Sequence, residues 1–139
     1  MELIKYTSMN IQRYNDDIHL FKIDVLNVKL TQLKWIDTLK NFETNLELLE
    51  RDNVKKFIMF IDAKYLDILS SEQIKNIVDL FTSKRKLFED KLLCTQSYVE
   101  GVIINIFKDI FNKFYNPIKP IKFLDKNELD NEFIESIIN

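Results

Sequence analysis

The sequence predicts an α/β domain: a mixed, mostly parallel sheet of about five strands covered by four helices. Three observations carry that prediction. Phe57-Ile58-Met59-Phe60-Ile61 is an unbroken run of β-favouring apolar residues closed by Asp62. A strand wet on one side alternates apolar with polar, so this one is buried on both faces, as in the middle of a parallel sheet. A loop over 63–69 follows, then the helix start Ser70-Ser71-Glu72-Gln73. Finally, strand-like and helix-like periods alternate through the rest of the chain. The expected order is β-β-α-β-α-β-α-β-α, with right-handed crossovers between the parallel strands.

The elements are justified in turn. Leu3-Ile4-Lys5-Tyr6 is the first expected strand, with Ile11–Tyr14 a short extension or turn. Asn15-Asp16-Asp17 supplies turn chemistry, so the next strand pairs antiparallel with the first. That strand, Ile18–Val25, puts His19, Phe21, Ile23 and Val25 on one face and is expected to be buried mainly on that side. From Leu33 the period becomes helical: Trp35, Leu39, Phe42, Leu46 and Leu49 share a stripe opposite Asp37, Lys40, Glu43 and Glu47. After the central strand a helix directs Ile74, Ile77, Val78 and Phe81 inward and runs toward Glu89. Leu92-Leu93-Cys94-Thr95 reads as a short buried strand. Val102, Ile103, Ile106, Phe107, Ile110, Phe111 and Phe114 define a third helix, stopping near Asn116 because Pro117 disfavours helix before it. Pro120-Ile121-Lys122-Phe123-Leu124 is the last strand. Asp125, with Glu128 as the second half of a capping box, opens a final helix with Leu129, Phe133 and Ile137 inward.

At 139 residues the chain (1–139) fits one domain and can bury a core without staples. Its 46 % hydrophobic and 30 % charged residues are an ordinary globular balance. A net charge of −2 gives no general attraction to nucleic acid or anionic membranes. The one cysteine excludes an internal disulfide and suits a reducing compartment. Without a leader-like N-terminus or an apolar run of ~20 residues, an intracellular, cytoplasmic protein is expected, with no membrane span. One glycine and one alanine among many Ile, Asn, Lys and Phe are the bias an AT-rich genome produces, such as that of a protist, a low-GC bacterium or a large DNA virus.

Three segments together resemble the STAS or SpoIIAA-like superfamily, the anti-sigma-factor-antagonist fold. They are the apolar strand ending in Asp62 with the Ser-Ser helix start, Leu92-Leu93-Cys94-Thr95-Gln96-Ser97 leading into a long apolar helix, and Phe114–Phe123 with its proline turn before a closing helix. The likeness spans roughly residues 17–138 and implies a regulatory or scaffolding domain that binds a protein partner. In the signalling branch the helix after the central strand begins Asp-Ser-x-Gly and its serine is phosphorylated. Here Ser71 falls at the serine, while Ser70 replaces the aspartate and Gln73 the glycine. The compact members are also similar in outline to the lipid-carrying SEC14 fold.

Each candidate site has two readings. Ser70 and Ser71 can receive a phosphate at a helix N-terminus, or Ser70 and Gln73 can form a capping box. Asp62, at the carboxyl end of a parallel strand, and Thr95, Gln96 and Ser97, at the expected end of its neighbour, can line a crevice or simply terminate strands. Tyr65, Leu66, Ile68 and Leu69 make the loop more apolar than turn chemistry requires, so they either dock a partner or pack beneath the loop. His19 and Cys94 read as structural, and one of each cannot build a zinc site. Gly101 alone excludes a glycine-rich phosphate loop. Lys84-Arg85-Lys86 can contact an acidic partner or a lipid headgroup, or simply suit a helix C-terminus, whose dipole favours cations. The eleven Phe fall at core spacing rather than beside basic residues, which gives nucleic-acid binding no support. No catalytic or metal residue is nominated and no cofactor is expected. The expected function is non-enzymatic protein interaction, through a partner or self-association as a homodimer. The alternative is a small-molecule or lipid carrier.

Overall fold

The computed structural model describes residues 7–26, 31–51, 53–66, 69–100, 102–109 and 118–138, without the side chains of 102, 103, 106 and 107. Strands are β1 (Thr7–Arg13), β2 (Ile18–Val25), β3 (Lys56–Asp62), β4 (Leu92–Tyr98) and β5 (Ile121–Leu124). Helices are α1 (Gln32–Arg51), α2 (Ser71–Ser83), α3 (Arg85–Lys91), α4 (Val102–Asp109) and α5 (Asn131–Ile138). The sheet order is β1-β2-β3-β4-β5, with β1 antiparallel to β2 and the remaining pairs parallel. This is the mixed, mostly parallel α/β architecture expected from the sequence.

Because every parallel connection moves one strand in the same direction, right-handed crossovers place α1, α2–α3 and α4 on one face. Packing agrees: Phe42, Leu46 and Leu49 of α1 and Phe81 and Phe88 of α2–α3 join Phe21, Phe57 and Met59 in the main core. The opposite face carries α5, whose Ile134 packs with Ile18, Leu20, Ile58, Phe60 and Cys94. The central run is thus divided between two cores, Phe57 and Met59 on one side and Ile58 and Phe60 on the other.

Several expected boundaries move. The first strand is β1 at Thr7–Arg13; Leu3–Tyr6 lies outside the described residues. Its period is weak because an outer strand buries little, only Met9 and Ile11 turning to the core. The hairpin turn is as expected, Asn15 Oδ1 accepting from the amides of Asp17 and Ile18, each at 2.9 Å. β2 is buried on both sides rather than one, since Ile18 and Leu20 meet α5 while Phe21 and Ile23 meet α1. The second helix bends at Lys84, where the Ser83 hydroxyl donates to Leu80 O at 2.7 Å and Lys84 pairs with Glu50 at 2.8 Å. β4 continues three residues past Thr95, to Tyr98. The expected end of the third helix near Asn116 lies outside the described residues.

The final helix begins at Asn131, not after Asp125, and its cap is Asp130, whose Oδ1 accepts from Phe133 N at 3.1 Å. Gln96 of β4 decides this. It donates to Asp130 O at 2.9 Å and accepts from Asp130 N at 2.7 Å, while Lys122 of β5 pairs with the Asp130 carboxylate. That ammonium, and then the Phe133 amide, hold the Asp130 carboxyl below the usual carboxylate range. Among the described residues, no helix is long and apolar enough to cross a membrane.

Candidate functional site

The start of α2 follows from local chemistry. Ser70 is extended, its Oγ accepts from Gln73 N at 3.1 Å, and Gln73 Oε1 accepts from Ser70 N at 2.9 Å. Both halves of the capping box are therefore present, and Ser70 Oγ already serves the helix. Ser71 is the first helical residue and is exposed.

The carboxyl ends of the parallel strands gather at one edge of the sheet. Asp62 ends β3 and lies in register with Asp24 of β2, so both carboxylates project to the α5 side. Asp62 Oδ1 accepts from Lys64 N at 3.1 Å, the turn by which the chain leaves the strand. Burial raises the Asp24 carboxyl pKa; the Lys22 ammonium opposes this and the Asp62 carboxylate adds to it. Tyr98 ends β4 with its hydroxyl donated to Glu100, which raises the phenol's pKa.

Apolar groups stand exposed at the same edge. Leu26, just past β2, is 44 % exposed, Leu33 in the first turn of α1 is 72 %, and Tyr65, after β3, is 47 %. Of the described loop residues predicted to form an interaction surface, only Tyr65 is open. Leu66 and Leu69 are buried against Val25, Trp35 and Val99, beneath the loop, and Ile68 lies outside the described residues. Sequence reading missed Leu26 and Leu33; an exposed leucine in a helix's first turn, off the apolar stripe, was the available signal.

The predicted crevice is not assembled. Thr95, Gln96 and Ser97 are internal to β4 and buried, because the strand extends to Tyr98. Gln96 faces α5 and holds Asp130, whereas Thr95 and Ser97 face α1 and α2, away from Asp62. There they border a cavity of about 70 Å³ whose walls include Trp35, Phe42, Ile61 and Phe81.

His19 is half-buried on the α1 side of the sheet, opposite Phe57, while Cys94 is buried on the α5 side. Burial pushes the Cys94 thiol up to about 11. In the basic cluster, Lys84 pairs with Glu50, and Arg85 with Glu89 at 3.3 Å. Among the described residues, no three His, Cys, Asp or Glu side chains gather as a metal ion would require.

No protein-family model matches the chain, and no curated protein does. Among solved structures, an uncharacterized protein from the DUF3478 family with a SpoIIAA-like fold, from Shewanella loihica PV-4, aligns with a TM-score of 0.62. The match has 15 % identity and covers 99 % of this chain and 98 % of that one. The chain is thus similar to that protein in fold, the SpoIIAA-like fold that its sequence resembles.

Proposed function

We propose that this SpoIIAA-like domain acts by binding another protein rather than by catalysis, docking it at the carboxyl edge of its parallel strands. The carrying observation is that Leu26, Leu33 and Tyr65, three of the five large hydrophobic residues exposed among the described residues, all follow the carboxyl ends of parallel strands. Scattered exposed leucines need no explanation, whereas a group at one edge of the sheet is the mark of an interaction surface. Asp24, Asp62 and Glu100 lie at this edge with Lys34 and Lys64 as the opposing charges, Lys22 sitting one pleat further in over the Phe60 ring. Charge complementarity therefore selects a partner segment with an apolar side chain beside a lysine or arginine. A non-enzymatic role is supported by His19 and Cys94 facing opposite sides of the sheet, which denies them a shared nucleophile–base contact.

Selection from a random peptide library on the immobilised protein tests the reading. Enrichment of peptides pairing an apolar residue with Lys or Arg is expected, and Leu33→Glu or Tyr65→Lys should abolish their binding. Peptides that bind both variants undiminished, or no enrichment at all, remove the proposal. Sedimentation showing a dimer dispersed by Leu33→Glu identifies a second copy as the occupant instead.

The cavity behind Trp35 favours a second reading, small-molecule binding. Its volume of about 70 Å³ is far below the ~300–1,000 Å³ of pockets for drug-sized ligands, so it has no room for a lipid.

A further inference from the structure

The two outer strands of the sheet differ in how their free edges are guarded. Among the described residues β5 borders one side and β1 the other. β5 is 4 residues long, carries Lys122 and follows Pro120, devices that keep an edge from pairing further. β1 has none of them. Its 7 residues pair with β2 one for one, without a bulge or a proline. Thr7 to Gln12 are uncharged, and the guanidinium of Arg13 is drawn back to Asp16 in the hairpin turn. Tyr14 N donates to Ile18 O at 2.9 Å, which sets the alternation of the strand. The backbone groups of Ser8, Asn10 and Gln12 turn toward β2, and those of Thr7, Met9, Ile11 and Arg13 face outward. Among the described residues nothing pairs with the outward set.

Along that edge β1 is complementary to itself. An antiparallel copy aligned on Asn10 sets Met9 against Ile11 and Thr7 against Arg13, so the outward backbone groups bond reciprocally. Met9 and Ile11 then meet on the α1 face, Ser8 meets Gln12 on the other, and no like charges are opposed. Helix α1 flanks the same edge. Asn41, Asn45 and Leu48 share one side of it by helical spacing, and Asn45 Nδ2 lies 4.0 Å from Met9 Sδ. Leu48 is 38 % exposed on that side.

We infer that two copies of this chain associate through β1, joined antiparallel about a two-fold axis at Asn10 into one continuous sheet, with Leu48 of each α1 beside the seam. Any extended strand would meet the same backbone groups, but the full-length match of apolar to apolar and amide to hydroxyl selects a second copy. This surface is separate from the carboxyl edge, so the inference goes beyond docking there and fails independently of it.

Asn10 is exposed and would face its own counterpart in a pair without hydrogen bonds, where side chains stand closest. A charge placed there acts on association rather than on folding. Sedimentation equilibrium of the full chain up to about 1 mM is expected to show monomer and dimer with a Kd of roughly 1–100 µM, as a modest interface gives. Asn10→Lys and Asn10→Asp should each raise that Kd, the lysine at least about fivefold, and an equimolar mixture of the two should restore the dimer. Leu33→Glu, at the carboxyl edge, should leave it unchanged. The Met9 and Ile11 amides should exchange more slowly as concentration rises, whereas the Asn10 amide, already bonded to β2, should not change. A monomer throughout the range, a dimer indifferent to Asn10→Lys, a mixture that does not restore it, or dispersal by Leu33→Glu overturns the inference. So does exchange at Met9 and Ile11 that is independent of concentration.

Discussion

At the scale of single residues, Gln96 explains why part of this fold is hidden from sequence reading. Thr95-Gln96-Ser97 resembles the polar end of a strand, yet Gln96 is fully buried, its amide exchanging two hydrogen bonds with the backbone of Asp130, 34 residues away. No local window contains that partner. Gln96→Leu leaves the Asp130 amide and carbonyl unpaired, and an expected loss of about 2–3 kcal/mol follows from stranding buried backbone groups. Urea denaturation measures it, and a loss under about 0.5 kcal/mol would mean that water replaces the glutamine. Asp24 behaves in the opposite sense. Its folded pKa is raised, chiefly by burial, so its ionisation opposes folding: the penalty is absent below the unfolded carboxylate pKa and complete once pH has risen through the folded one. Asp24→Asn should therefore raise the melting temperature at pH 7 and confer no advantage near pH 3. The effect is small, within about 0.5 kcal/mol, because the site is partly solvated. An equal shift at both pH values would assign it to packing rather than charge.

At the scale of elements, legibility follows how locally each boundary is determined. The capping box of α2 closes within Ser70–Gln73, and its chemistry is readable from four adjacent residues. Asp125-Lys126-Asn127-Glu128 has the same spacing but does not start a helix; Gln96 and Lys122 fix the cap at Asp130 instead. The α1 stripe was equally plain, since Trp35, Phe42, Leu46 and Leu49 are all buried as their spacing predicts. β1 was shifted because an edge strand with few buried positions carries little period. For the cap, Ser70→Ala should cost about 1 kcal/mol by chemical denaturation. Ser71→Ala, at an exposed position, should be nearly neutral. Equal costs for the two would show that the Ser70 hydroxyl is not the principal cap. The same contrast bears on the candidate site: the apolar loop residues were visible in sequence, but which of them face water was not. Leu66 and Leu69 turn under the loop because Val25, Trp35 and Val99 offer them a core there.

At the scale of the whole molecule, the two faces of the sheet are unequally covered. The α1 side receives two long helical units that interlock through Phe21, Phe42, Phe81 and Phe88, with ring centroids 5.4–5.8 Å apart. The α5 side relies on a helix of 8 residues anchored by Ile134, by the Asp130 cap and by the Tyr14 hydroxyl donated to Asn131 at 2.9 Å. Strand β3 is hydrogen-bonded on both edges and packed on both faces, so its amides should open only when the whole domain unfolds. The amides of α5 need only the release of one short helix, and should exchange through a partial opening of lower free energy. Hydrogen exchange over a urea series separates the two: β3 amides should follow the global denaturant slope, and α5 amides a shallower one. Ile134→Ala sharpens the comparison, because removing a fully buried isoleucine costs about 2–5 kcal/mol wherever its contacts are intact. If α5 detaches first, the substitution should accelerate α5 exchange and lower global stability, while α5 keeps its shallow slope. Should α5 and β3 amides instead share one slope and one free energy, the helix is part of a single cooperative unit, and the core beneath it never opens alone.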